Sequence, residues 1–375
     1  MADSLYIHIP FCRRKCPYCD FYSVIYNDDI ADSYIRVLNR QINSFDRKFS
    51  TIYVGGGTPS VLKPILLKRL LNSLNKHIET RGEFTVEVNP ESLDKDKVKL
   101  FLDKGVNRIS IGVQSLYNSK LNSLGRIHSS NQARNSVLLA KKAGFKNVSI
   151  DLIFGLAPES VKSWKKELSE AVNLPVNHIS TYALTYEKNT LLHRDLQKKK
   201  ISSLSERVVA DMYRVALGYL PKKGFRHYEV SNFSQKRYIC KHNLNYWQNS
   251  SYLGLGPSAV SYIQGRRQKN ESDVRKYTEQ ADNNKNLVVF SERLSPLQRA
   301  KETAALKIRT KEGIDFAWFR RKTGFDFLEI ESQALAELIE NHLLRYKKTK
   351  RKTNTGVFLT KKGFVFCDTV SSSFL

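Results

Sequence analysis

The sequence predicts an α/β protein, a partial (β/α)6 barrel followed by a small winged-helix-like α+β domain. Three observations predict it. Short apolar runs alternate with stretches of helical spacing over the first two-thirds of the chain, the pattern of a parallel sheet with right-handed crossovers. Polar and glycine-rich residues gather where the apolar runs end, which is where barrels build their active sites. The alternation then stops, and helices with a hairpin close the chain.

In chain order, strands are expected at 5–9, 51–54, 84–88, 106–113, 148–154 and 178–184. Each is a short apolar run of strand length, the second ending in Gly55-Gly56-Gly57. Helices are expected between them at 31–45, 64–77, 94–104, 132–143 and 160–172. The rhythm breaks near Pro221. Residues 224–230 read as one more strand, and an irregular Asn-, Tyr- and Gly-rich stretch runs to Tyr262. From Ser295, helices at 297–308, 316–322 and 328–341 precede strands at 343–346 and 356–359. These strands flank the basic turn Lys347-Lys348-Thr349-Lys350-Arg351-Lys352. The expected organisation is a barrel over 1–235, an irregular connecting segment over 236–294 and a winged-helix-like domain over 295–375. A winged module often binds DNA, but fold does not settle function.

No apolar run approaches the roughly 20 residues of a membrane-spanning helix, and the start of the chain reads as a strand rather than a signal peptide. The expected location is the cytoplasm. Of the five cysteines, three lie within eight residues, which is not a secreted disulfide framework. Cys240 and Cys367 stand apart and read as packed core thiols. The formal net charge of +26 could serve nucleic acid, anionic lipid or an anionic substrate. Because lysines recur along the whole chain, solvated surface is the favoured reading and a nucleic-acid partner is not expected.

The chemistry lies in Cys12-Arg13-Arg14-Lys15-Cys16-Pro17-Tyr18-Cys19, with thiols spaced by three and then two residues. A structural zinc site needs four ligands, and completion by His8 or Asp20 is the competing reading. A 4Fe–4S cluster held by three thiolates has one iron without a protein ligand. S-adenosylmethionine (SAM) can chelate that iron through its amino and carboxylate groups, and an electron from the cluster then breaks a carbon–sulfur bond of SAM.

Other segments strengthen this reading. Gly55-Gly56-Gly57-Thr58-Pro59 lets backbone approach a ligand closely, although alone it is equally a tight turn. Glu87 ends the third strand and could accept hydrogen bonds from ligand hydroxyls or amines, or be a surface acid. Gln114 and Asp151 are polar groups in apolar strands and need partners, from a ligand or from the core. Arg126 could pair with a carboxylate or simply face solvent.

Together these segments resemble the oxygen-independent coproporphyrinogen oxidase family of the radical SAM superfamily, and within it the HemW-like branch of haem chaperones. The resemblance runs from Tyr6-Ile7-His8-Ile9-Pro10-Phe11-Cys12 through Gly55–Pro59, residues 105–115 and 151–155 to His242-Asn243-Leu244-Asn245-Tyr246-Trp247 and Gly254-Leu255-Gly256-Pro257. It implies that the three cysteines bind the cluster. It also implies that Tyr6, Gly56, Gly57, Thr58, Glu87, Gln114, Arg126 and Asp151 surround SAM. Ala157 departs from the family, which usually has proline there.

The true oxidase, a dehydrogenase that decarboxylates porphyrinogen propionates, is the competing activity. It has a further cysteine where this chain has Phe21, and a long arm before its cluster, whereas Cys12 here is near the first residue. The chaperone branch implies haem as cargo, haem-accepting proteins as partners, some of them at membranes, and leaves a homodimer open. In that branch His242 is a candidate haem ligand, with Tyr246 and Trp247 against the porphyrin face. A packing histidine in an aromatic cluster at the barrel mouth is the competing reading. Cys240 is a weaker candidate.

Overall fold

The computed structural model describes residues 2–348 and 353–375, so the tip of the basic turn at 349–352 lies outside the described residues. Six parallel strands form the barrel: β1 (Ser4–Ile9), β2 (Phe49–Gly56), β3 (Ile78–Val88), β4 (Arg108–Gln114), β5 (Asn147–Phe154) and β6 (His178–Ala183). Helices α1 (Asp28–Asn43), α2 (Pro64–Asn75), α3 (Lys95–Asp103), α4 (Asn118–Ser123), α5 (Ser130–Ala143) and α6 (Val161–Ala171) lie between them. After β6 come α7 (Leu191–Gln197) and α8 (Glu206–Tyr219).

The strands do not carry the continuous apolar runs usual in parallel sheets covered on both faces. They alternate with a period of two. Leu5, Ile7 and Ile9 of β1, Ile52 and Val54 of β2, and Phe84, Val86 and Val88 of β3 join one buried apolar core with the helices. So do Ile109, Ile111 and Val113 of β4 and Val148, Ile150 and Leu152 of β5. The intervening residues are polar and meet on the opposite face, as Ser4 with Thr51, Tyr53 with Glu87, Ser110 with Asp151 and Ser149 with His178. A strand puts successive side chains on opposite faces, so this sequence dictates an apolar outer face and a polar interior.

The helices follow from local chemistry. In α1, Asn27 accepts a hydrogen bond from the Ile30 amide at 3.1 Å, and Asp28 and Asp29 occupy the positive N-terminal turn. Its buried stripe of Ala31, Tyr34, Ile35, Leu38 and Ile42 packs on the sheet, and the Tyr34 hydroxyl donates to the His8 carbonyl at 2.6 Å. Ser129 and Gln132 form a capping box that opens α5, and Gly144, in the left-handed region, ends it.

The segment 236–294 differs from the irregular connection expected. Just before it, β7 (Arg226–Glu229) pairs antiparallel with β8 (Asn232–Ser234), which pairs antiparallel with β6. After helix α9 (Lys241–Trp247), β9 (Tyr252–Leu255) pairs parallel with β1 at the opposite edge. Strands β10 (Val260–Ile263), β11 (Arg266–Asn270) and β12 (Val288–Arg293) continue outward, and α10 (Val274–Asp282) packs on α1. The result is an open twelve-stranded sheet ordered β12-β11-β10-β9-β1-β2-β3-β4-β5-β6-β8-β7. These added strands are short and polar, as in Arg266-Arg267-Gln268-Lys269-Asn270, which hides them from a search for apolar runs.

The C-terminal module has helices α11 (Pro296–Lys307), α12 (Phe316–Thr323), α13 (Phe327–Ile330) and α14 (Ser332–Glu340). Its three-stranded sheet comprises β13 (Ile314–Asp315), β14 (Leu344–Lys348) and β15 (Asn354–Leu359), in the order β13-β15-β14. Two short helices, α15 (Lys361–Val365) and α16 (Cys367–Ser372), follow. It has its own apolar core, and Tyr213 and Leu217 of α8 pack against both cores. Cys240 and Cys367 are buried, as core thiols are. Among the described residues no helix is long and apolar enough to cross a membrane.

Candidate metal centre and ligand cavity

The cysteine loop leaves the top of β1 and is fastened at both ends. Phe11–Cys12 pairs with Val24–Ile25, and the Tyr26 amide donates to the Cys12 carbonyl at 2.9 Å. A turn brings the Cys19 amide to the Cys16 carbonyl at 3.1 Å, and the Leu192 amide holds the Pro17 carbonyl at 2.9 Å. Gly125, at φ +67°, lies so close to Pro17 that a β-carbon there would come within 2.5 Å of its ring.

The glycine turn at the top of β2 packs against this loop. The Gly57 and Thr58 amides donate to the carbonyls of Ile9 and Phe11 at 2.8 and 2.7 Å. A β-carbon on Gly57 would meet the Phe11 carbonyl oxygen at 2.7 Å, so only glycine lets turn and loop approach this closely. Thr58 Oγ1 lies 3.5 Å from Cys12 Sγ and accepts from Asn89 Nδ2 at 2.8 Å.

A cavity of about 580 Å³ opens here, within the range of small-molecule sites. Every expected site residue except Tyr6 and His242 lines it: Cys12, Cys16, Cys19, Gly56, Gly57, Thr58, Glu87, Gln114, Arg126 and Asp151. Glu87 accepts from the Tyr53 hydroxyl at 2.6 Å and the Gly56 amide at 3.2 Å, and burial pushes its carboxyl up to about 7. Burial likewise raises Asp151, against hydrogen bonds from Ser180 and Ser110. Gln114 sits at φ +61° where β4 departs from register, a strained backbone typical of functional sites. Arg126 donates to Cys16 Sγ at 3.4 Å and to the Gly112 carbonyl at 3.2 Å, while its Nε is buried without a partner among the described residues. Burial also raises the Cys12 and Cys19 thiols, which a metal would deprotonate.

Two of the expected residues stand apart from this lining. Tyr6 points its hydroxyl to His8 Nδ1 at 3.0 Å. His242 is not at the barrel mouth. It is 1 % exposed and stacks on Tyr53 at the N-terminal end of the strands. Its Nδ1 meets Thr51 Oγ1 at 2.7 Å, its Nε2 meets Tyr246 Oη at 2.9 Å, and burial lowers its pKa to about 3. With both nitrogens occupied, the ring has no lone pair to offer a haem iron. Cys240 is tied to Glu83 at 3.3 Å in the same plug.

Sequence reasoning missed the residues that hold the cavity wall. Tyr53 anchors Glu87, and Asn89 anchors Thr58. Glu91 lies 3.8 Å from Arg126 and bonds His128 at 3.2 Å, and those partners hold its carboxyl below the usual range against the effect of burial. The period-two alternation of polar residues was the signal that could have found Tyr53.

The donor set fits a cluster better than a single ion. His8 spends its nitrogens on the Tyr6 hydroxyl and the Tyr22 carbonyl, and Asp20 is exposed. Among the described residues no three His, Cys, Asp or Glu side chains converge on one metal ion. Three thiols around one cavity, partly buried acceptors at Glu87 and Asp151 and a donor at Arg126 suit an iron–sulfur cluster beside a zwitterionic nucleoside.

Comparison with known proteins agrees. A model of the Radical SAM superfamily matches residues 6–171, and one of the HemN C-terminal domain matches 294–366. The fold resembles the solved coproporphyrinogen III oxidase (HemN) from Escherichia coli, with a TM-score of 0.84 at 21% identity over 99% of this chain and 89% of that one. Heme chaperone HemW of Lactococcus lactis is 37% identical over 100% of this chain and 97% of its own length. That of Bacillus subtilis is 31% identical over 99% of both. The chain belongs to the HemW family of radical SAM proteins.

Proposed function

We propose that this chain is a cytoplasmic haem chaperone that holds a 4Fe–4S cluster on Cys12, Cys16 and Cys19, binds SAM beside it, and delivers haem to acceptor proteins. One observation carries the site: the three thiols share a single cavity with Glu87, Gln114, Arg126 and Asp151. The chaperone reading is preferred because relatives matching the whole chain bear that name. Phe21, at the position of the oxidase's extra cysteine, is 68 % exposed.

In this reading Arg126 offers its free Nε to a carboxylate beside the cluster, and Glu87 and Asp151 accept from amine or hydroxyl donors. Gly57 and Thr58 lock the cysteine loop in place. Gln114 closes the cavity from β4. When bound, the cluster and SAM supply one-electron chemistry at an open coordination position. Loading metal onto raised thiols releases protons, so cluster assembly is favoured by rising pH.

Anaerobic protein supplied with iron and sulfide is expected to gain a brown four-iron chromophore, whose spectrum SAM perturbs. Haemin added next should give a saturable Soret band. Failure to acquire the chromophore defeats the proposal. Conversion of coproporphyrinogen to protoporphyrinogen by the loaded protein would replace the chaperone reading with the oxidase.

A further inference from the structure

A second and larger cavity, about 940 Å³, lies outside the barrel between the tops of β5 and β6, helix α8 and the C-terminal module. We propose that this cavity holds the haem cargo, a flat apolar macrocycle edged by two carboxylates, with Arg207 and Arg214 of α8 facing the carboxylates. The inference rests on the chaperone reading above and deepens it.

Three features of the cavity match that ligand. Part of its wall is apolar and aromatic, with Phe154, Leu184, Val209, Tyr213 and Phe366, beside polar groups that include Glu206 and Asp368. Phe366 is 45 % exposed, which leaves a large apolar surface in a concave place. Its cations stand in a row. Arg207 and Arg214 both line it, seven residues apart on one helix and so about 10 Å apart along its axis. Arg207 has no ion-pair partner among the described residues, and Arg214 is balanced only by exposed Asp211 at 2.6 Å. Two donors for iron also line the cavity or its rim, the Cys367 thiol and Tyr186, whose buried hydroxyl has no partner among the described residues.

The position suits the proposed function. Tyr182, Ala183, Leu184 and Thr185, at and just after the end of β6, line both this cavity and the one holding the cysteines. The wall of one is therefore the wall of the other, and cargo would rest against the segment that closes the cofactor cavity. His242, by contrast, is sealed at the far end of the barrel.

The test titrates full-length, cluster-loaded protein with haemin and with haemin dimethyl ester, followed at the Soret band. Arg207→Glu with Arg214→Glu is expected to weaken haemin about tenfold or more, because two charge-assisted contacts turn repulsive. It should leave the affinity of the ester, whose propionates carry no charge, unchanged. Cys367→Ser or Tyr186→Phe should shift the Soret maximum. Wild-type protein that binds no haemin overturns the chaperone reading itself. Wild-type binding that the double substitution leaves intact overturns this site alone. So does an equal loss from Lys141→Glu with Lys142→Glu on the distant helix α5, which would assign the effect to the general positive charge.

Discussion

The two ends of the barrel interior are lined by the same alternation of polar side chains, yet they do opposite things. At the N-terminal end many of the polar groups pair with one another, although Arg108 Nε and Nη1 and Thr85 Oγ1 are buried without partners among the described residues. Glu83 accepts from the Lys241 and His242 amides at 2.9 and 3.1 Å and from Cys240, so it caps helix α9 and fastens it as a plug. His242, Thr51, Ser4 and Tyr246 complete a closed chain. At the C-terminal end the polar groups are only partly satisfied, and Glu87, Asp151 and Arg126 face a cavity. Polarity in a barrel interior is therefore not a sign of function by itself. Unspent hydrogen-bonding capacity that faces a cavity is.

The sharpest way to break this comparison is at the top. Replacing any one of Cys12, Cys16 or Cys19 by serine should abolish the four-iron chromophore, read by absorbance and iron content. The urea midpoint of the metal-free protein should scarcely move, because these thiols are partly exposed and belong to neither apolar core. At the bottom the pattern should invert. Glu83→Ala removes three hydrogen bonds and a carboxylate whose charge acts on buried Arg108, and should cost about 3 kcal/mol in urea unfolding. SAM affinity of the folded variant should be unchanged. His242→Ala should cost about 2 kcal/mol through lost hydrogen bonds and a cavity against Tyr53. Its haemin affinity should match wild type, and a lost Soret band would restore His242 as ligand.

How much of this was legible in the sequence depends on the range of the interaction. The cysteine spacing, the glycine turn and the six barrel strands are local patterns and were readable as such. Gln114 and Asp151 stood out because a polar residue in an apolar strand must have a reason. The role of the segment around His242 was not legible, since its partner Glu83 lies 157 residues before Cys240 and no local pattern encodes that pairing. Strands β10 to β12 were hidden by their charge, because an antiparallel edge with a solvated face has no need of apolar residues. The larger cavity draws its wall from positions near 154, 184, 210 and 366, and only the folded chain brings them together.

The smallest expected effect separates a carboxylate in the cavity wall from one outside it. Glu87 is partly buried and Glu229 fully buried, and burial pushes each up to about 7. A carboxyl raised on folding favours the native state while it is protonated, and that stabilisation fades as pH climbs from the ordinary value near 4.3 through about 7. Glu87→Gln and Glu229→Gln should therefore each flatten the fall in melting temperature of the metal-free protein between pH 5 and pH 8, by a few degrees. The two should part company when SAM is added. Glu87 faces Tyr53, the Gly56 amide, Asp151 and Arg108 at the cavity wall, so ligand donors stabilise its charged form. Wild-type affinity for SAM should rise as pH passes 7, and Glu87→Gln should remove that rise. Glu229 bonds the Ser231 amide, lies near Asn232, Trp247 and Arg309, and does not line the cavity, so Glu229→Gln should keep it. An identical pH profile in both variants would mean that Glu87 is no more open to a ligand than Glu229.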